Sequence, residues 1–131
     1  MTLKMLLQAP DFFAAAFPIS ETCPDAALSE AQITALSKTP LWFTYAKDWL
    51  PADPGQYTAA TVRRLQRLNA PVRQTAWEQA PEQAVNVFYR NRLGTIYCHE
   101  GDWSWIYFFN DQCVDDATGE HLWQWLGQQK R

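Results

Sequence analysis

Glycine and cysteine are scarce in this chain, and their scarcity excludes several kinds of protein. Only five of the 131 residues are glycine, which is few for a loop that must bring its backbone close to a cofactor. The three cysteines, Cys23, Cys98 and Cys113, are an odd number at wide spacing with no C-x-x-C pair, so they do not form a disulfide framework. We therefore expect reduced thiols in a cytoplasmic protein, and no cofactor.

Long apolar runs and the common catalytic signatures are also absent. No stretch approaches the roughly 20 residues of a membrane span, so no membrane partner is expected. Gln8, Pro10 and Asp11 interrupt the apolar N-terminus before it reaches the length of a signal-peptide core. The sequence contains no phosphate loop, dinucleotide fingerprint, nucleophile elbow or H-E-x-x-H motif.

What the chain does contain is typical of a folded globular protein. Hydrophobic residues make up 47% and charged residues 19%, a composition that excludes general disorder. The length predicts a single domain over residues 1–131. The formal net charge of −3 gives no bulk attraction to nucleic acid.

The composition changes midway along the chain, and this change predicts the fold class. Residues 1–55 are rich in Ala, Leu and Pro, whereas residues 84–126 are rich in aromatic and β-branched types with turn residues between them. We predict an α+β fold. In it, a helical N-terminal half packs on a three- or four-stranded antiparallel meander, with a possible C-terminal helix.

Three segments of the first half carry helix signals. We predict helices over residues 11–17, 29–38 and 58–69, because each is bounded by a residue that can cap it or by a proline that ends it. The second has the residues of a capping box, with Ser29 before the first helical position and Gln32 at the third.

Two further segments are ambiguous. Residues 41–50 fit a helix or a strand, and the spacing of Leu41, Tyr45 and Trp49 at i, i+4 and i+8 favours a helix. Residues 72–79 are interpreted as a short helix that packs Trp77.

The second half carries the strand signals. Residues 85–90, 95–98 and 103–109 are predicted as successive strands separated by turns. Alternate residues of the third segment are apolar on both faces, which indicates a central strand.

The chain from Glu120 onward fits a helix or a strand, and the spacing of Leu122, Trp125 and Leu126 favours a helix. In a helix Trp123 and Trp125 point well apart, so one of them should be exposed.

Positive charge is concentrated in the middle of the chain. All six cations of residues 56–95 are arginine, and both flanking parts are net acidic. Guanidinium groups suit carboxylate or phosphate partners. They can pair with acidic segments of the same fold, with a protein partner or a second copy, or with a phosphate or nucleic acid.

Aromatic residues are abundant, with seven Trp, five Tyr and seven Phe. A domain of this size is not expected to hide every indole, and partly exposed Trp often anchors an interface. The candidate binding residues are Arg63, Arg64, Arg67, Arg90, Arg92, Trp103, Trp105 and Trp123.

One short segment concentrates side chains that could do chemistry. Cys98, His99, Glu100 and Asp102 lie within five residues, and His121, Cys113 and Cys23 could add ligands or a base. Adjacent residues on a strand point to opposite faces, so Cys98 and His99 are not a chelating pair. No metal site and no catalytic residue is predicted.

The sequence thus predicts a small cytoplasmic, non-enzymatic interaction protein. It would be an adaptor, a chaperone-like protein or an inhibitor that binds a protein partner, or a second copy, through an Arg/Trp surface. One alternative is a nucleic-acid or phosphate-ligand binder that uses the basic residues 63–92. A further alternative is a small metal-dependent or Cys/His enzyme.

Overall fold

A computed structural model describes residues 1–47, 55–78 and 105–130. The strands are β1 (Leu41–Ala46) and β2 (Val72–Trp77). The α-helices are α1 (Thr2–Gln8), α2 (Glu30–Leu36), α3 (Ala60–Arg67), α4 (Trp105–Phe109) and α5 (Leu122–Gln128). A 3-10 turn at Asp25–Ala27 precedes α2, and a π-helical turn at Gly55–Ala59 precedes α3.

The sheet is parallel. β1 pairs with β2 in a register that runs from Leu41 opposite Val72 to Ala46 opposite Trp77. On the other side of β1, residues 16–20, here called the edge segment, run parallel to it through bridges from Ala16 to Leu41 and from Ile19 to Thr44. β1 is therefore central, between the edge segment and β2.

Each connection between these extended segments contains a helix. α2 lies between the edge segment and β1, and α3 lies between β1 and β2. Parallel neighbours need such crossover connections, so the described part of the chain consists of two overlapping β–α–β units, an α/β arrangement. The predicted α+β fold with an antiparallel meander is wrong, because the described strands are parallel and lie in the half that was expected to be helical.

The prediction failed at β1 for a physical reason. All six residues of β1 are buried, because helices cover both faces of the sheet. A strand buried on both faces shows no alternation of polar and apolar residues, and a continuous apolar run can also match a helical spacing. The helix favoured over residues 41–50 is therefore wrong, and residues 72–77 likewise form a strand rather than a helix.

Two other predicted elements differ from the structure. The helix expected over residues 11–17 is absent, and a helix forms earlier, at Thr2–Gln8. The second difference is at residues 103–109, where a strand was expected and Trp105–Phe109 form a helix. Every residue of this helix is aromatic or aliphatic, so the sequence has no alternation of polar and apolar residues that could distinguish a helix from a strand. The strands expected over residues 85–90 and 95–98 lie outside the described residues.

The helices predicted over residues 29–38 and 58–69 are confirmed. Ser29 Oγ accepts a hydrogen bond from the Gln32 amide at 3.3 Å, and Gln32 Oε1 accepts from the Ser29 amide at 2.8 Å, which completes the capping box of α2. α3 falls within the predicted range, and Asn69, at φ 54°, ends it in a left-handed conformation. The C-terminal helix is also present.

Two apolar clusters cover the two faces of the sheet. Leu41 and Phe43 contribute to the first-face cluster, and Trp42, between them, contributes to the second-face cluster, as alternation along a strand requires. The first-face cluster also includes Leu3, Leu6, Ile33, Leu36, Val62 and Leu65, from α1, α2 and α3. The second-face cluster also includes Tyr107, Phe108, Cys113, Leu122 and Trp125, from α4, α5 and the turn between them.

None of the helices in the described ranges combines the length and apolar character that crossing a bilayer requires.

Candidate functional site

The carboxyl ends of the three extended segments meet at one edge of the sheet. Glu21 follows the edge segment, Lys47 follows β1 and Glu78 follows β2. Open α/β sheets bind ligands in the crevice outside the carboxyl ends of their strands. This edge is therefore the candidate functional site, and it gathers residues that are far apart in the sequence.

The backbone at this edge is held in an uncommon conformation. Ser20, the last residue of the edge segment, has φ 46°, which places a residue with a side chain in the left-handed region. Its amide donates to the Thr44 carbonyl oxygen at 2.8 Å, so the strained residue is tied to β1. Strain of this kind persists where surrounding structure holds it, and it concentrates at functional sites.

A cavity of about 530 Å³ opens beside the end of the edge segment. Leu3, Leu7 and Leu28 give it apolar walls, and Glu21 and Cys23 add polar groups. This combination of size and mostly apolar lining with a few polar groups is typical of small-molecule sites.

Glu21 is buried and well partnered. Its Oε1 accepts a hydrogen bond from the Cys23 amide at 3.1 Å and lies 3.7 Å from the amino nitrogen of Met1. Its carbonyl oxygen accepts from the Thr58 hydroxyl at 3.3 Å, which links the edge segment to the turn that opens α3. These contacts fix the position of a carboxylate in the cavity wall.

The Cys23 thiol beside Glu21 is not an activated nucleophile. Partial burial raises its pKa, and the negative charge of Glu21 raises it further. A thiolate, rather than a thiol, is the nucleophilic form, so this environment makes Cys23 less reactive at neutral pH.

The ends of β1 and β2 are tied together by Lys47. Its amide donates to the Trp77 carbonyl oxygen at 2.8 Å, and its Nζ pairs with the Glu78 carboxylate. The hydrogen bond to Glu78 raises the pKa of Lys47, which keeps the ammonium charged. The backbone is thus anchored up to the last described residue after β1.

The arginines predicted to bind a partner have different environments. Arg64 donates to the Asp25 carboxylate at 3.1 Å, to the Leu28 carbonyl oxygen at 3.0 Å and to the Glu30 carboxylate at 2.6 Å. These contacts are internal. Arg63 and Arg67 are exposed on α3. Two further candidates, Arg90 and Arg92, lie outside the described residues.

The predicted tryptophans lie on the other side of the sheet from α3. Trp123 packs on Phe108, with ring centroids 4.4 Å apart, and Trp105 contacts Phe109 at 6.1 Å. Both indoles are partly exposed, at 40% for Trp105 and 45% for Trp123. Because α3 packs on the first-face cluster, the structure does not bring these tryptophans together with the arginines of α3. Trp103 lies outside the described residues.

Cys98, His99, Glu100 and Asp102 also lie outside the described residues. Of the three residues that could complement them, Cys113 and His121 lie in different environments. Burial raises the pKa of Cys113 to about 12, so it remains a thiol. The His121 ring lies at the protein surface, with Nδ1 3.2 Å from Asp111 Oδ2, and it does not line the cavity. Among the described residues, no three His, Cys, Asp or Glu side chains are placed to share a metal ion.

Comparison with solved structures shows a fold similarity. No protein-family model matches the chain, and no curated protein matches it. A solved structure described as the crystal structure of a thermostable esterase is 23% identical, with a TM-score of 0.66. The match covers 99% of this chain and 28% of the esterase chain.

At this level of identity the similarity shows the fold alone. It contradicts the prediction of a non-enzymatic adaptor, chaperone-like protein or inhibitor, because the same fold forms part of an enzyme chain. The finding points to an esterase-like fold.

Sequence reasoning missed Ser20 and Glu21. The sequence nevertheless contains a pattern that could have indicated these two residues. The apolar runs 12–19 and 41–46 are each followed within two positions by a carboxylate, Glu21 in one case and Asp48 in the other. An apolar run of this length that ends in polar residues is also the pattern of a buried parallel strand that leads into a functional loop.

Proposed function

We propose that this chain is the part of an ester hydrolase that carries the acid and the base of a catalytic triad. The observation that carries the proposal is the parallel sheet, whose carboxyl edge borders a cavity, in a fold similar to a portion of an esterase. The chain spans 28% of that esterase, so the activity of a whole enzyme is proposed here for a larger assembly of which this chain is one part.

The order of residues along the chain supports specific roles. In α/β hydrolases the triad follows the order Ser, then Asp or Glu, then His. Here Asp48 comes two residues after the last residue of β1, and His99 comes later in the chain. Both residues lie outside the described ranges, so the assignment uses their order in the sequence. The chain has no G-x-S-x-G motif, so in this proposal the serine belongs to polypeptide outside these 131 residues.

The position of Asp48 in the sequence, two residues after the end of β1, supports it as the acid. β1 is buried between two extended neighbours, and Lys47 is held by its backbone bond to Trp77 and its ion pair to Glu78. The role of such a carboxylate is to hold the imidazole in the correct tautomer and orientation.

The chemistry that follows is acyl transfer to a serine. As the serine hydroxyl attacks the ester carbonyl, His99 takes the hydroxyl proton and then gives it to the leaving alcohol. Water then attacks the acyl-enzyme. His99 accepts the proton of that water and gives it to the departing serine oxygen, which releases the carboxylic acid and restores the serine hydroxyl. Asp48 stabilises the imidazolium that forms in each step. The cavity of about 530 Å³ at this edge suits a small acyl or alcohol group.

The test uses the protein purified from its natural source, with p-nitrophenyl butyrate as the substrate. We expect Asp48→Asn and His99→Ala each to lower kcat by roughly 10³- to 10⁴-fold, since each removes a triad member. Asp11→Asn and His121→Ala serve as matched controls of the same residue types, and both should keep the wild-type rate. If the Asp48 and His99 variants hydrolyse the ester as the controls do, these two roles are wrong.

We also propose that the protein is cytoplasmic and that residues 1–131 form a single domain. The free thiols of Cys23 and Cys113 support a reducing compartment such as the cytoplasm. The packing of all described helices on one sheet supports a single folded unit.

A further inference from the structure

The cavity beside the end of the edge segment has a buried carboxylate in its wall. Glu21 lines this cavity and is only 7% exposed, and the apolar side chains of Leu3, Leu7 and Leu28 line it as well. Taking a carboxylate out of water costs free energy unless cations or hydrogen-bond donors surround it. The partners of Glu21 therefore indicate which kind of ligand the cavity is suited to bind.

The chain satisfies this carboxylate only in part. Oε1 of Glu21 accepts a hydrogen bond from the Cys23 amide at 3.1 Å. The Met1 amino nitrogen lies 3.7 Å from the same oxygen, which is longer than a hydrogen bond. Within the described part of the chain, no group donates to the second oxygen, Oε2. Because an ionised carboxylate can accept about four hydrogen bonds, Glu21 retains the capacity to accept donors from a ligand.

The two cationic groups at this cavity are both in contact with water. Met1 is 88% exposed, and its amine approaches Glu21 without a hydrogen bond. Lys4 is also exposed, and it forms no ion pair with any residue that the structure describes. Exposed ion pairs contribute little to stability, so a ligand can take the place of the Met1 amine at small cost. The contact nevertheless shows that a primary ammonium group can approach Glu21.

The rest of the lining suits an alkyl chain. Leu3 and Leu28 are buried and Leu7 is half-buried, so the walls beside Glu21 are mainly hydrocarbon. A ligand with an ammonium group on a short alkyl chain satisfies both parts of the cavity, because the charge pairs with the carboxylate and the chain leaves water. An alcohol of the same length brings no charge to Glu21, and a carboxylic acid brings a like charge.

We propose that this cavity binds a primary alkylammonium group, with the ammonium on Glu21 and the alkyl chain against Leu3, Leu7 and Leu28. The site itself follows from the cavity and its buried carboxylate. Its use as a substrate subsite, which selects esters that carry an ammonium group on a short alkyl chain, rests on the proposed function.

Titration with n-butylammonium, followed by NMR, tests the site without an activity assay. Labelling cysteine alone with ¹⁵N marks the Cys23 amide, which donates to Glu21, and the Cys113 amide, in the second-face cluster. In the protein purified from its natural source, we expect n-butylammonium to shift the Cys23 signal saturably and to leave the Cys113 signal in place. 1-Butanol has the same chain without the charge. It should bind at least about 10-fold more weakly, because hydrogen bonds to charged groups are the stronger ones.

Two variants test whether Glu21 holds the ammonium. Glu21→Gln keeps the shape of the side chain and can still accept from the Cys23 amide, and we expect its affinity for n-butylammonium to fall at least about 10-fold. Glu30→Gln removes a carboxylate of α2 that does not line the cavity, and it should bind as the wild type does. Unchanged affinity in Glu21→Gln would overturn the proposal. Equal binding of n-butylammonium and 1-butanol by the wild type would overturn it without any variant.

Failure of the ammonium site and failure of the proposed function give different results. If the triad roles are wrong, Asp48→Asn retains ester hydrolysis while n-butylammonium still shifts the Cys23 signal. If the ammonium site is wrong, the Cys23 signal does not respond, while Asp48→Asn still loses ester hydrolysis.

Discussion

Arg64 on α3 donates to Asp25 of the 3-10 turn at 3.1 Å, and this contact joins two elements that are distant in the sequence. The same guanidinium also satisfies the Leu28 carbonyl oxygen just before α2. An arginine that the sequence marked as a partner-binding residue therefore holds the first-face helices together. These contacts explain its position in the fold.

The first prediction follows from this contact. Arg64→Ala should lower the urea midpoint of unfolding clearly, because it leaves the Leu28 carbonyl and the Asp25 carboxylate without a donor. The matched control is Arg63→Ala, which removes an exposed arginine of the same helix and should leave the midpoint nearly unchanged. Equal midpoints for the two variants would show that Arg64 has no structural role.

The second prediction concerns the buried contact between Trp42 and Thr75. Trp42 Nε1 donates to Thr75 Oγ1 at 3.0 Å, and the same hydroxyl donates to the Val114 carbonyl oxygen at 2.6 Å. Thr75→Val keeps the shape and removes both bonds, so we expect a loss of about 2 kcal/mol in the free energy of unfolding. Thr34→Val, at an exposed position of α2, should cost under about 0.5 kcal/mol. Urea denaturation of the three proteins measures the difference.

The third prediction compares two indoles on α5. Trp125 is 4% exposed and meets Trp42 with ring centroids 5.3 Å apart, whereas Trp123 lies at the surface. Trp125→Ala should cost roughly 3–5 kcal/mol, the usual range for a buried aromatic. Trp123→Ala should cost about 1–2 kcal/mol, since it loses the bond from Nε1 to the Phe108 carbonyl oxygen and a partly exposed ring contact with Phe108. The reverse order of stabilities would contradict the assignment of α5's buried side.

The fourth prediction concerns alkaline pH. Burial raises the pKa of Tyr45 above its ordinary value of 10.0, although the nearby charge of Lys47 opposes the shift. The folded state then binds the phenolic proton more tightly than the unfolded state, so stability falls as the pH rises above about 10. Tyr45→Phe cannot ionise and should lose less stability over that range. Urea midpoints of the two proteins, measured at several alkaline pH values, test the sign. A parallel decline in both would show that Tyr45 contributes nothing to it.

How far the sequence predicts this fold depends on how local each signal is. The capping box of Ser29 and Gln32 involves only neighbouring residues, and the structure confirms its prediction. The exposure of Trp123 opposite a buried Trp125 also follows from helical geometry alone. Such features need no knowledge of the rest of the molecule.

The strands and the candidate site depend on contacts that are distant in sequence. β1 is buried along its whole length because α2, α3, α4 and α5 cover its two faces, and this burial removes the alternation that identifies a strand. Glu21 comes close to Thr58 only because the edge segment and β1 run in parallel. No pattern within a short window encodes that convergence.

The central claim is that this chain supplies the acid and the base of an ester hydrolase. Labelling with a fluorophosphonate probe tests it most directly, because the probe reacts with a serine that a triad activates. In the protein purified from its natural source, we expect the probe to label one serine. His99→Ala should abolish the labelling, and His121→Ala should leave it unchanged. The absence of a labelled serine in the wild-type protein, or equal labelling in both histidine variants, would contradict the account.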